Sequence, residues 1–103
     1  MRRIFFLFSF LLVLPLVVNA KEKLTKEQFC HFSYAIYKSC YMRGEKGENC
    51  GKLVSQMKVG EAFSRSQKEY LKEACKNGCF LGRLKLNLMT EDQFVNECSS
   101  LNF

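Results

Sequence analysis

At 103 residues the chain accommodates a single domain. Six cysteines without a C-x-x-C pair, together with one histidine, exclude zinc-finger and thioredoxin-type sites. Sixteen basic against ten acidic side chains give a net charge of +6, and the acids are interspersed among the bases, too mixed a pattern for a nucleic-acid surface.

The chain opens with Arg2 and Arg3 ahead of an apolar run, Ile4–Val18, and Val18 and Ala20 supply small residues before a cleavage point. That is the pattern of a secretory signal peptide. Fifteen apolar residues that include Pro15 fall short of the ~20 needed to span a bilayer. The sequence therefore predicts residues 1–20 as a signal peptide and 21–103 as a single cysteine-rich helical domain, secreted and extracellular. Without Arg2 and Arg3 the 83-residue domain keeps a net charge of +4.

Thr25 is the first helix signal: an N-cap with Gln28 three residues on, flanked by the apolar pair Leu24 and Phe29. The helix is expected to run to about Arg43 and stop at Gly44. At 100° per residue, Phe29, Phe32, Ile36 and Cys40 share one face, and Cys30, Tyr34, Tyr37 and Tyr41 share the next. Together they are wider than the ~100° stripe of a surface helix, so this is expected to be the central helix, with partners on two sides. Asn49 can cap a shorter second helix bearing Cys50, Leu53, Val54 and Met57, with Gly60 ending it. Ser64 or Ser66 can cap a third, whose inner face is Tyr70, Leu71, Ala74 and Cys75. Asn77-Gly78 is expected to stop it just before Cys79. In "FLGRLKLNLM" Leu84, Leu86 and Leu88 alternate as in a strand, while Phe80, Leu81, Leu84 and Leu88 fit a helical stripe. A lone strand has no partner here, so a connector with room for one helical turn is expected. Thr90 then opens a last helix with Gln93 at N3, a Met89/Phe94 staple and an inner face of Phe94, Val95, Cys98 and Leu101. The prediction is all-α: a small disulfide-stapled bundle of about four short helices.

An even cysteine count in a short secreted chain reads as a disulfide framework, here Cys30, Cys40, Cys50, Cys75, Cys79 and Cys98 in one of fifteen pairings. On helices, Cys30 and Cys40 stand about 15 Å apart and Cys75 and Cys79 about 6 Å. A bridge requires Cα atoms within about 4.4–6.8 Å. One straight antiparallel helix pair therefore cannot easily join Cys30 and Cys40 to Cys75 and Cys79, and Cys50 or Cys98 must serve the first helix. The spacing C-x9-C-x9-C-x24-C-x3-C-x18-C differs from the arthropod hyperglycaemic-hormone, insect odorant-binding and saposin-like frameworks.

Catalytic chemistry lacks its parts. His31 is a lone histidine with no nucleophile pattern near it, and Glu45 and Glu48 lack calcium-loop spacing. No enzyme activity, cofactor or metal is expected. The candidate target-binding face is Arg65, Lys68, Lys72 and Lys76, within about 80° of one another on the third helix. Such a stripe suits an extracellular protein, a receptor or channel, or an anionic membrane surface. The plainer reading is a solvated face, partly neutralised by Glu69 beside Lys72 and Glu73 beside Lys76. The expected function is that of a secreted, non-enzymatic effector or binding protein, toxin-like or signalling in type, acting through a rigid helical surface. The alternative is a small carrier of hydrophobic ligands, with Tyr34, Tyr37, Tyr41 and the connector 84–89 lining a cavity. Against it, a tyrosine stripe at this spacing is more often core, with its hydroxyls reaching the rim.

Overall fold

Helix starts lie where the sequence places its caps. The computed structural model describes residues 24–101 and the backbone of 17–18, and in it Thr25 caps α1 (Lys26–Glu45) through a complete capping box with Gln28. Asn49 caps α2 (Cys50–Ser55) and Ser64, with Gln67, caps α3 (Arg65–Arg83). Thr90 caps α4 (Glu91–Ser99) by accepting from the Gln93 amide. Each cap satisfies amide donors that a helix start otherwise leaves unpaired. The expected signal segment lies outside the described residues, except that the backbone of β1 (Val17–Val18) runs parallel to β2 (Lys58–Val59). This two-residue ladder has no signal in the sequence. The described residues form an all-α bundle of four helices stapled by three disulfides.

Helix α1 is central, packed along α3 on one side and against α4 on another. Its buried residues are Phe29, Cys30, Ser33, Ile36, Tyr37, Cys40 and Gly44, drawn from both expected faces. Phe29 and Leu71 are fully enclosed. Around Phe29 the rings of Phe63 and Tyr70 lie 5.9 and 6.0 Å away, and Phe94 stacks on Tyr37 at 5.0 Å. Phe63, buried in the loop before α3, is a core residue that no periodic pattern marks. Helix α2 ends at Ser55 rather than near Gly60, because the chain turns at Gln56 and extends into β2. Met57 is buried all the same.

Three glycines read as stops or left unremarked are contact points within helices. Helix α1 continues through Gly44 to Glu45, and α3 continues through Gly78 and Gly82 to Arg83. A Cβ on Gly78 would strike the carbonyl oxygen of Tyr37, one on Gly82 that of Tyr41, and one on Gly44 that of Cys79. The two backbones are therefore in direct contact, and any side chain at these positions would hold them apart. Tyr37 meets Gly78, Tyr41 meets Gly82, and Glu45 receives a bond from Lys85. This ascending order means that α1 and α3 run side by side in the same direction. Residues 46–64 form the return crossover.

The true stops lie further on. Gly47 has φ +86° and Lys85 has φ 59°. At each end the next two amides fold back: Gly47 to Gly44 and Glu48 to Arg43, then Lys85 to Gly82 and Leu86 to Leu81. Both are Schellman closures. A non-glycine residue in that conformation costs about 1–2 kcal/mol. Lys85 offsets part of this through its ammonium, which donates to the Glu45 carbonyl at 3.2 Å, at the electronegative end of α1.

Each disulfide joins a different pair of helices. Cys30–Cys98 links α1 to α4, Cys40–Cys75 links α1 to α3, and Cys50–Cys79 links α2 to α3, at Cα separations of 5.7, 5.1 and 5.7 Å. Cys98 thus supplies the partner that spacing required for the first helix.

Helix propensity alone favours alanine at every helical glycine, so close approach can be separated from propensity by the sign of the effect. Gly82→Ala should destabilise by about 1–3 kcal/mol through overpacking. Gly51→Ala, where the nearest atom is Asn49 Oδ1 at 3.4 Å, should stabilise by about 0.5–1 kcal/mol. Denaturant unfolding of the two variants checks both signs.

Candidate functional site

Continuing α3 past Gly78 has a surface consequence. Phe80, Leu81 and Leu84 extend the face that Tyr70 and Ala74 begin, but the nine residues of α4 cover only part of it. What remains is a groove of about 660 Å³ between the two helices, lined in its depth by the buried Tyr37, Ala74 and Phe94 and also by the half-buried Met89. Its apolar rim is left in water: Phe80 is 45% exposed, Leu84 65% and Leu101 43%. Leu101, expected on the inner face of the last helix, lies just beyond the end of α4 and forms part of this rim.

The walls are fixed by the tyrosines of α1. Tyr34 donates its hydroxyl to the Met89 carbonyl at 3.0 Å, and Tyr41 donates to the Leu86 carbonyl at 2.6 Å. The Tyr37 hydroxyl accepts from the Met89 amide at 3.3 Å. Three hydroxyls one helical turn apart thus tie down the connector between α3 and α4 at Leu86 and Met89, beyond the bonds that close α3. Each such bond contributes on the order of 1 kcal/mol. Cys30–Cys98 holds the far end of α4, and Glu91 at its start lies 2.9 Å from His31 Nδ1. His31 thus sits in an α1–α4 contact, with Glu27 at 4.0 Å on its other ring nitrogen.

No protein-family model, curated protein or solved structure matches this chain, so the site rests on its own geometry. Among the described residues no cluster of three or more His, Cys, Asp or Glu side chains is arranged to hold a metal, and no helix is long and apolar enough to cross a membrane. All six cysteines are bonded to one another.

The expected basic stripe lies on a different face of α3 from the groove. Arg65 is paired with Glu69 at 3.5 Å and Lys68 with Glu61 at 3.7 Å. Lys72 and Lys76 are exposed, and among the described residues neither has an acidic partner within 4 Å. The expected pairs Glu69–Lys72 and Glu73–Lys76 do not form. Glu69 turns back to Arg65, and Glu73 lies at the groove.

Of the residues proposed for a ligand cavity, Tyr37, Leu84 and Met89 do line the groove. Tyr34 and Tyr41 do not; they act through their hydroxyls on the connector backbone. Phe80, Leu101, Tyr70, Glu73 and Glu97 are among the lining residues that sequence reasoning did not assemble. A usable signal was present in the helical stripe Phe80, Leu81 and Leu84, which continues the phase of Glu73 and Asn77 once α3 is allowed through Gly78.

Two tyrosines feel this packing electrostatically. Burial, then the Glu91 carboxylate and the neighbouring Tyr37 hydroxyl, push the Tyr34 hydroxyl above its ordinary value. Burial and the Glu97 carboxylate do the same to Tyr70. In the folded chain both groups hold their protons to higher pH than in the unfolded chain. The stability of the neutral hydroxyls is thus complete below the unfolded value of 10.0 and is lost as pH rises through the folded values. An alkaline titration followed by phenolate absorbance should show these two tyrosines ionising above 10.0, with melting temperature falling over the same range. Ionisation at or below that value would contradict the packing described.

Proposed function

We propose that this chain is a secreted, non-enzymatic effector or binding protein that recognises its target through the apolar groove between α3 and α4. Three disulfides in a chain of this size support an oxidising, extracellular setting. The observation that carries the binding reading is the exposure of Phe80, Leu84 and Leu101 around a groove of about 660 Å³. That volume lies in the range of about 300–1,000 Å³ found for small-molecule sites, and so does the lining, mostly apolar with a few polar groups. The groove walls are already braced by disulfides and tyrosine hydroxyls. Little ordering is left to occur on binding, which favours affinity.

The expected basic face remains a second reading, favoured by the exposure of Lys72 and Lys76 without acidic partners among the described residues. It would serve an anionic membrane surface or an acidic receptor patch.

One set of variants separates the two. Leu84→Asp should lower the affinity of a neutral, environment-sensitive naphthyl dye at least tenfold while the melting temperature stays within a few degrees, because Leu84 is largely solvated. Lys72→Glu/Lys76→Glu should leave dye binding unchanged. If instead the wild-type protein takes up no dye, and the lysine variants abolish binding to phosphatidylserine vesicles, the basic face is the functional surface.

A further inference from the structure

The charged side chains that line the groove, among the described residues, are of one sign, opposite to that of the whole chain. Two carboxylates line it, Glu73 from α3 and Glu97 from α4, and among the described residues no lysine, arginine or histidine does. Most other acids in the described part are engaged: Glu27 and Glu91 with His31, Glu48 with Arg43, Glu61 with Lys68, and Glu69 with Arg65. Glu73 and Glu97 have no cationic partner within 4 Å among the described residues. They are the two acids that a basic protein leaves unneutralised at its apolar groove.

The rest of the lining has the same preference. Tyr37, Tyr70, Phe80 and Phe94 contribute four aromatic rings, and Asn77 and Ser100 contribute neutral polar groups. Aromatic faces attract an organic cation held within about 6 Å, and a carboxylate beside them adds a direct ion pair. The negative field reaches into the groove, since the Glu97 carboxylate acts on the Tyr70 hydroxyl. A carboxylate or phosphate headgroup would meet repulsion from both walls and find no basic group in the lining.

We propose that the groove binds a cationic amphiphile, a small molecule with an apolar body and a protonated amine or quaternary ammonium group, seated between the aromatic rings with its charge toward Glu73 and Glu97. The assignment rests on the groove being the binding site, as proposed above, and adds the chemical class of the ligand. The groove volume suits a molecule of this size. A partner protein would bury a broader patch, typically about 800 Å² on each side.

The test compares dodecylamine, dodecanoate, dodecanol and a basic amphipathic peptide as competitors for the neutral dye. It uses the secreted, disulfide-intact protein at low salt, below micelle formation. Dodecylamine should displace the dye about tenfold more effectively than the alcohol or the acid, the scale set by exposed ion pairs and cation–π contacts together. The advantage should shrink with added salt. Glu73→Gln/Glu97→Gln should cut the amine's advantage several-fold while dodecanol competes as before, with helicity unchanged. Equal or stronger competition by dodecanoate, or an advantage that survives intact in the double variant, overturns the charge assignment and leaves the groove as a neutral apolar site. Stronger competition by the peptide than by the amine overturns the small-molecule assignment. Absence of dye binding in the wild-type protein overturns the groove reading itself, and this one with it.

Discussion

The structure depends on the distance between two backbones. Helices α1 and α3 meet where Gly78 and Gly82 lie against the carbonyls of Tyr37 and Tyr41, and where Gly44 lies against that of Cys79. No side chain can stand between them at these points. Because the contacts ascend together along both helices, the pair is parallel, and residues 46–64 must carry the chain back to the start of α3. That return contains α2, β2 and the buried Phe63. The same contact requires α3 to remain helical through Gly82, which carries Phe80, Leu81 and Leu84 past the reach of the short α4. The groove is the surface consequence of a packing requirement in the interior.

Covalent bonds secure what a small core cannot. A domain of this size buries a limited fraction of its apolar surface, and each bridge contributes about 2–4 kcal/mol by restricting the unfolded chain. The three bridges fasten three different helix contacts, so each of the four described helices carries a covalent tie. The tyrosines do the corresponding work for the irregular connector. Their hydroxyls hold the backbone of Leu86 and Met89, and Met89 lines the groove. A binding surface braced in this way loses little conformational entropy when it is occupied.

Much of the bundle was legible because helix caps are local signals. Thr25 with Gln28, Asn49, Ser64 and Thr90 mark the helix starts from a few consecutive residues each. The ends were harder to read, because glycine has two uses that look alike in sequence. Gly47 takes the left-handed conformation that stops a helix, whereas Gly44 and Gly78 stay helical and admit a neighbouring backbone. Only the neighbour, a residue far away in sequence (Cys79 for Gly44, Tyr37 for Gly78), distinguishes the two. Lys85 shows the converse, a helix stop with no glycine to announce it. Phe63, without a periodic context, and the groove, assembled from α1, α3 and α4, are likewise non-local. The basic stripe was visible in sequence, but which of its cations find partners was decided by rotamers and by the loop bearing Glu61.

The proposed binding role thus follows from where α3 ends and how it registers against α1, and the disulfides record that register chemically. The most direct measurement is mass-spectrometric mapping of the bridges in the non-reduced protein. The parallel pairing requires Cys30–Cys98, Cys40–Cys75 and Cys50–Cys79 and no others. A Cys30–Cys75 or Cys40–Cys79 bridge would shift α3 along α1, lift Gly78 and Gly82 from their carbonyl contacts and dissolve the groove with them.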